Sequence, residues 1–207
     1  MTIRSVATYA AAATLLLASS ADAQAPTSVM VVSPVYSQLV AFSIPSNFVA
    51  GAERNDGTAY TREAVPKGET ADKWNEKITV TGAKGLASQP NASAEKVAGV
   101  IASGYKNACA DSFDVKLLGA NAATFAVVVG CGKIGEATKR SETTLVIAIK
   151  GTSDFYTVQW AERGAVADKA DVNNAKWMER LQKLAPLRVC PIVPGEAPPY
   201  PSCVGKS

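Results

Sequence analysis

Four cysteines, Cys109, Cys131, Cys190 and Cys203, restrict this 207-residue chain more than any other feature, because pairing them closes its second half into loops. Four thiols allow three connectivities. Closeness in sequence favours Cys109 with Cys131 and Cys190 with Cys203, the second pair bracketing a tail that has little else to anchor it. Loops of this size stabilise a fold by about 3 kcal/mol each in the chain-entropy account. Such pairing needs an oxidising compartment.

The start of the chain offers a route to one. Arg4 precedes an apolar run from Val6 to Ala18, too short for a bilayer span of about 20 residues. Small residues then alternate through Ala21, Ala23 and Ala25, as at a signal peptidase site. Pro26 would hinder a cut after Ala25, so cleavage after Ala23 is favoured. The expected organisation is a signal peptide over 1–23, a flexible N-terminal segment over 24–35, a globular domain over 36–185 and a Pro-rich tail over 186–207. The expected location is the bacterial periplasm or the medium, with no transmembrane segment in the mature chain. Removing Arg4 and Asp22 leaves the net charge at +3, too mild and dispersed to predict nucleic-acid binding.

The chain has no histidine. That excludes Ser-His-Asp and Cys-His catalysis and histidine-ligated metals, and no C-x2-C spacing replaces them for zinc. No metal and no cofactor are expected. Enzymatic readings are left with carboxylates, Ser-Lys dyads, or Tyr and Lys acting alone.

Periodicity predicts strands at Tyr36–Ile44, Thr58–Val65, Ile78–Thr81, Phe113–Leu118, Thr124–Val129, Thr143–Lys150 and Phe155–Trp160. Ser93 is a good cap for a helix to about Ala108, and a second helix is expected from near Asp168 to Leu184, stopped by Pro186. The tail, with five prolines from Pro191 to Pro201, reads as extended. The pattern is that of an α+β domain, an antiparallel sheet of about six to seven strands covered by two helices, with a disulfide-tied C-terminal tail.

Several local patterns deserve weighing. Gly130-Cys131-Gly132-Lys133-Ile134-Gly135 matches a dinucleotide fingerprint, but too few residues follow for a crossover helix, so a hairpin connection is expected. Ser93-x-x-Lys96 and Ser103-x-x-Lys106 match S-x-x-K without its companion motifs, and Ser93 reads as a helix cap. Gly205-Lys206-Ser207 lacks the preceding glycine of a phosphate-binding loop. Lys169, Lys176, Arg180 and Lys183 follow helical spacing and form a candidate binding stripe, whose ordinary explanation is a solvated helix face. Tyr156, Val158 and Trp160 alternate onto one strand face, so Tyr156 and Trp160 are either a binding surface or core, with core favoured.

The segments Phe42-Ser43-Ile44-Pro45-Ser46-Asn47-Phe48, Glu63-Ala64-Val65-Pro66, Glu69-Thr70 with Trp74, and Ile78-Thr79-Val80 resemble small exported bacterial proteins of unknown function. The element order from Tyr36 to Trp160 resembles the Mog1/PsbP-like fold, whose members often begin with a strand containing an F-x-I-P-x-x-F segment. That resemblance implies an accessory or binding role and brings no catalytic residue with it. The cysteine-bracketed tail departs from the fold's usual ending.

The sequence therefore favours an exported, non-enzymatic binding or accessory protein for an envelope protein or small ligand. The alternative is a histidine-free envelope hydrolase using carboxylates, with Glu63, Glu69, Asp72 and Glu162 as its candidates.

Overall fold

In the computed structural model, residues 27–135 and 139–205 are described. The expected leader and its cleavage site lie outside them. The strands are β1 (Ser28–Val35), β2 (Gln38–Pro45), β3 (Phe48–Asn55), β4 (Ala59–Pro66), β5 (Glu76–Ala83), β6 (Phe113–Ala120), β7 (Thr124–Ile134), β8 (Arg140–Lys150), β9 (Phe155–Ala165) and β10 (Arg188–Pro191). The helices are α1 (Ala94–Ala108), α2 (Asn174–Lys183) and the short α3 (Pro201–Val204). A seven-stranded sheet runs β3-β4-β5-β9-β8-β7-β6, and a three-stranded sheet runs β1-β2-β10. All pairings are antiparallel, so the α+β expectation holds, with a second small sheet added.

The alternation of side chains divides the large sheet into two working faces. Val127, Val129, Val146, Ala148 and Phe155 point to one face and bury against Ala94 and Ala98 of α1. Ser93 caps α1 as its sequence predicts, its hydroxyl accepting from the Lys96 backbone N–H. Ile78, Val80, Val128, Leu145, Ile147, Tyr156, Val158 and Trp160 point to the opposite face, where β1, β2 and α2 cover them with Val35, Val40, Phe42, Ile44, Trp177 and Leu184. The result is three layers: helix, large sheet, then small sheet beside α2. At Gly82 a Cβ would come within 2.5 Å of a Val35 methyl, so glycine is what allows the two sheets to touch there.

Three expectations are corrected. Residues 28–35, expected to be flexible, form β1, because Val31 and Val35 bury into the core when paired antiparallel with β2. The second helix begins at Asn174 rather than near Asp168. Asn173 caps it, and the preceding stretch crosses β7, where Ala167 N–H donates to the Gly132 carbonyl. The tail is not merely extended: β10 pairs with β2, and α3 places Cys203 over Leu39 and Ala41. It therefore covers the outer face of the small sheet.

Both disulfides take the expected connectivity, Cys109 with Cys131 and Cys190 with Cys203. The first joins the end of α1 to β7. The second joins β10 to α3. No described helix is long and apolar enough to cross a membrane.

Candidate functional site

The glycine motif resolves as packing. β7 and β8 are adjacent antiparallel strands, so the segment joins sheet neighbours rather than the two parallel strands that a dinucleotide-binding unit requires. A Cβ at Gly130 would sit 2.6 Å from the Glu142 carbonyl oxygen, and one at Gly132 would sit 2.3 Å from that of Ala167. Both glycines admit backbone, not phosphate.

The candidate carboxylates are spread over the molecule. Glu63 pairs with Lys77 at 2.7 Å on the α1 side of the large sheet. Glu69 accepts from the Asn75 backbone N–H at 2.7 Å and from its amide at 2.8 Å; burial opposes ionisation, but these bonds outweigh it and hold the carboxyl below its ordinary range. That is the wrong direction for a general acid. Asp72 is exposed in the segment between β4 and β5. Glu162 lies on the opposite face from Glu63, opposite Glu76 in the β5–β9 ladder.

Glu162 also collects the basic residues of α2. Arg180 Nε donates to it at 2.6 Å and Lys176 Nζ approaches at 2.8 Å. The Arg180 guanidinium stands 5.2 Å from the Trp160 ring centroid. Glu76 is raised above the ordinary carboxyl range by burial and by the Glu162 charge, with Arg180 opposing the rise. Lys183 pairs with Glu179 at 2.7 Å, and Lys169, outside the helix, donates to the Asp111 carbonyl at 3.0 Å. The predicted stripe is thus divided: Lys176 and Arg180 pin α2 to β9, Lys183 pairs within the helix, and Lys169 reaches the loop before β6.

Tyr156 and Trp160 are 0% and 1% exposed. They form core rather than a surface. Tyr156 Oη donates to Asp154 Oδ2 at 3.1 Å, and Trp160 meets Phe48 edge-on at 5.7 Å between centroids.

What the sequence reading missed is a groove between the sheets. About 220 Å3 in volume, it is lined from β1 by Val29, Val31 and Ser33, and from β2 and β3 by Phe42, Ile44, Phe48 and Ala50. β4 and β5 complete it with Arg62, Glu63, Ala64, Ile78 and Val80. The i, i+2 spacing in each strand shows how it arises: one pleat face of five strands converges on a space they do not close. Val29 and Val49 at this end of the molecule are 39% and 43% exposed. The F-x-I-P-x-x-F segment supplies three of the apolar walls, with Pro45 to Asn47 carrying the chain from the small sheet to the large one.

Two charged residues of β4, Arg62 and Glu63, border this apolar space. Arg62 shares its face of β4 with Tyr60 and Ala64 and opposes Val80 on β5. Its guanidinium donates to Ser33 Oγ at 3.4 Å and stands 3.9 Å from Glu53, contacts too long to saturate five donors. Neighbouring Glu63 points the other way, to Lys77.

No protein-family model matches the chain, and no curated relative matches it. Among solved structures it is similar to the Saccharomyces cerevisiae Ran-binding protein Mog1p, determined at 1.9 Å resolution, with 10% identity over 76% of this chain and 93% of that one, and a TM-score of 0.47.

Proposed function

We propose that this chain is an exported binding protein that holds a small ligand or part of a partner protein in the groove between its two sheets. The observation that carries this reading is the groove itself: apolar walls drawn from five strands, accessible from solvent, with Arg62 and Glu63 of β4 at its border. Convergent apolar walls with a few placed polar groups are the usual makeup of a ligand site. Two disulfides fit an oxidising compartment, and the leader over residues 1–23 would take the chain there. Three of the four carboxylates that an enzymatic reading would use, Glu63, Glu69 and Glu162, are committed to Lys77, Asn75 and the α2 cations.

Paired denaturing and native mass spectrometry on protein purified from the envelope and medium tests this. The expected denaturing mass is that of residues 24–207 less four thiol hydrogens. The expected native mass carries an adduct that Ala50→Phe, at the groove rim, removes. A full-length mass, or an adduct indifferent to the groove variant, would refute the proposal.

A further inference from the structure

Arg62 is a cation on the face of β4, beside the edge strand β3, that otherwise supplies core residues, and its side chain stays 41% exposed at the groove mouth. The positions around it show the contrast. Tyr60 and Ala64 on the same face pack into the core, as do Val80 and Ile78 across the β4–β5 ladder. Arg62 alone breaks that pattern. Within the chain it meets Glu53 at 3.9 Å, with both side chains substantially exposed, Ser33 through one long hydrogen bond, and the Tyr60 hydroxyl. Glu53 itself is also shared, accepting from Tyr60 Oη at 3.2 Å. The guanidinium thus keeps donor capacity at the mouth of an apolar groove, the setting in which a carboxylate is bound as a two-pronged partner.

The groove, about 220 Å3 in volume and open to solvent, has room for an aliphatic tail. The walls from Val29 and Val31 to Ile78 and Val80 offer it methyl groups and aromatic edges, with Ser33, Arg62 and Glu63 as the polar residues of the lining.

Resting on the reading of the groove as a binding site, we infer that its ligand is a free aliphatic carboxylate of medium chain length, its tail between the sheets and its carboxylate on Arg62. Recognition divides between the two parts. The tail gains from burial at any apolar position, whereas the headgroup distinguishes an acid from an alcohol or an amine.

Octanoate, 1-octanol and octylamine, titrated into the mature disulfide-bonded protein and followed by methyl NMR, test the assignment. Octanoate is expected to shift the methyls of Val29, Val31, Ile78 and Val80, and to bind at least about tenfold more tightly than octanol, the range of a charge-assisted hydrogen bond. Arg62→Gln, at a partly exposed position that should fold normally, is expected to abolish that preference, bringing octanoate affinity down to that of octanol. Equal binding of acid and alcohol, with Arg62→Gln silent, would overturn the carboxylate and leave the groove a binding site. Tighter binding of octylamine would overturn it by showing that Glu53 governs the mouth. No shift at these methyls with any probe would overturn it too; the envelope-derived adduct and its Ala50→Phe control then decide separately whether the groove binds anything.

Discussion

Arg180 and Glu162 meet at 2.6 Å in a site where their side chains are only 18% and 15% exposed, and that contact fixes α2 to the large sheet. Its role follows from what surrounds it. Glu162 faces Glu76 across the β5–β9 ladder, so removing the guanidinium leaves two carboxylates confronting one another with Lys176 as the remaining close cation. Arg180→Ala should destabilise the protein by about 2 kcal/mol, between an exposed pair and a fully buried one. Glu162→Gln should cost less, because it also relieves Glu76. Denaturant unfolding checks both; a loss under about 0.5 kcal/mol for Arg180→Ala would place the pair among surface contacts.

Glu76 gives this corner a pH dependence of definite sign. Burial and the Glu162 charge raise its carboxyl above the ordinary range. A raised acid binds its proton more tightly folded than unfolded, so its favourable contribution is complete below the unfolded pKa and is lost as pH rises through the folded one. Glu76→Gln should therefore be more stable than the parent at pH 7, with the advantage shrinking as pH falls into the ordinary carboxyl range. Unfolding midpoints measured across that interval would contradict this if the advantage grew on acidification.

Asp154 behaves oppositely. It is 2% exposed, and burial alone would raise it. The Ser37 hydroxyl at 2.5 Å, the Gly85 backbone N–H at 2.7 Å and the Tyr156 hydroxyl outweigh that and lower it. Its stabilising share is present above the unfolded pKa and lost as pH falls through the lower folded value. Asp154→Asn should destabilise by about 2 kcal/mol or more at pH 7, since four donors, the Ser37 backbone N–H among them, lose a charged acceptor. The gap to the parent should narrow in acid, and a constant gap from pH 7 to pH 3 would show that shape rather than charge is what the site requires.

How much of this was legible in the sequence depends on whether the signal was local. The Ser93 cap, the strands from Phe113 to Trp160 and the pairing of near cysteines all rest on neighbours within a few residues or one loop. β3 escaped because only Phe48 of its eight residues is buried and a bulge between Ala50 and Glu53 breaks its alternation. β1 escaped because Pro34 and the nearby cleavage pattern read as a linker. The groove needs both of these strands and their register against β2 and β4, so no local pattern contains it. Arg62 left a trace, as the cation at a position where alternation from Tyr60 to Ala64 demands an apolar residue.

The tail disulfide should matter for coverage as well as stability. Replacing Cys190 and Cys203 by serine opens a loop worth about 3 kcal/mol in the chain-entropy account and frees the tail from Leu39 and Ala41. Hydrogen exchange should then accelerate over residues 188–205 and along β2 where β10 paired with it, while amides of β7 and β8 stay protected. Uniform acceleration would mean that the tail is part of the global folding unit rather than a separable cover.

Gly132 offers the sharpest test of the packing account of the glycine motif. A methyl group there would stand 2.3 Å from the Ala167 carbonyl oxygen and 2.7 Å from the Lys169 backbone. These atoms belong to a crossing chain held by the Ala167 N–H bond to the Gly132 carbonyl at 2.9 Å, so relief requires moving backbone. Gly132→Ala should cost about 2 kcal/mol or more, in the range of overpacking. Gly99→Ala on α1, where nothing lies within 4 Å of the added carbon, should instead stabilise by about 0.5–1 kcal/mol through helix propensity. Opposite signs for the two substitutions in one denaturation experiment are expected. A harmless Gly132→Ala would mean that the crossing segment yields easily, and the motif would then need another explanation.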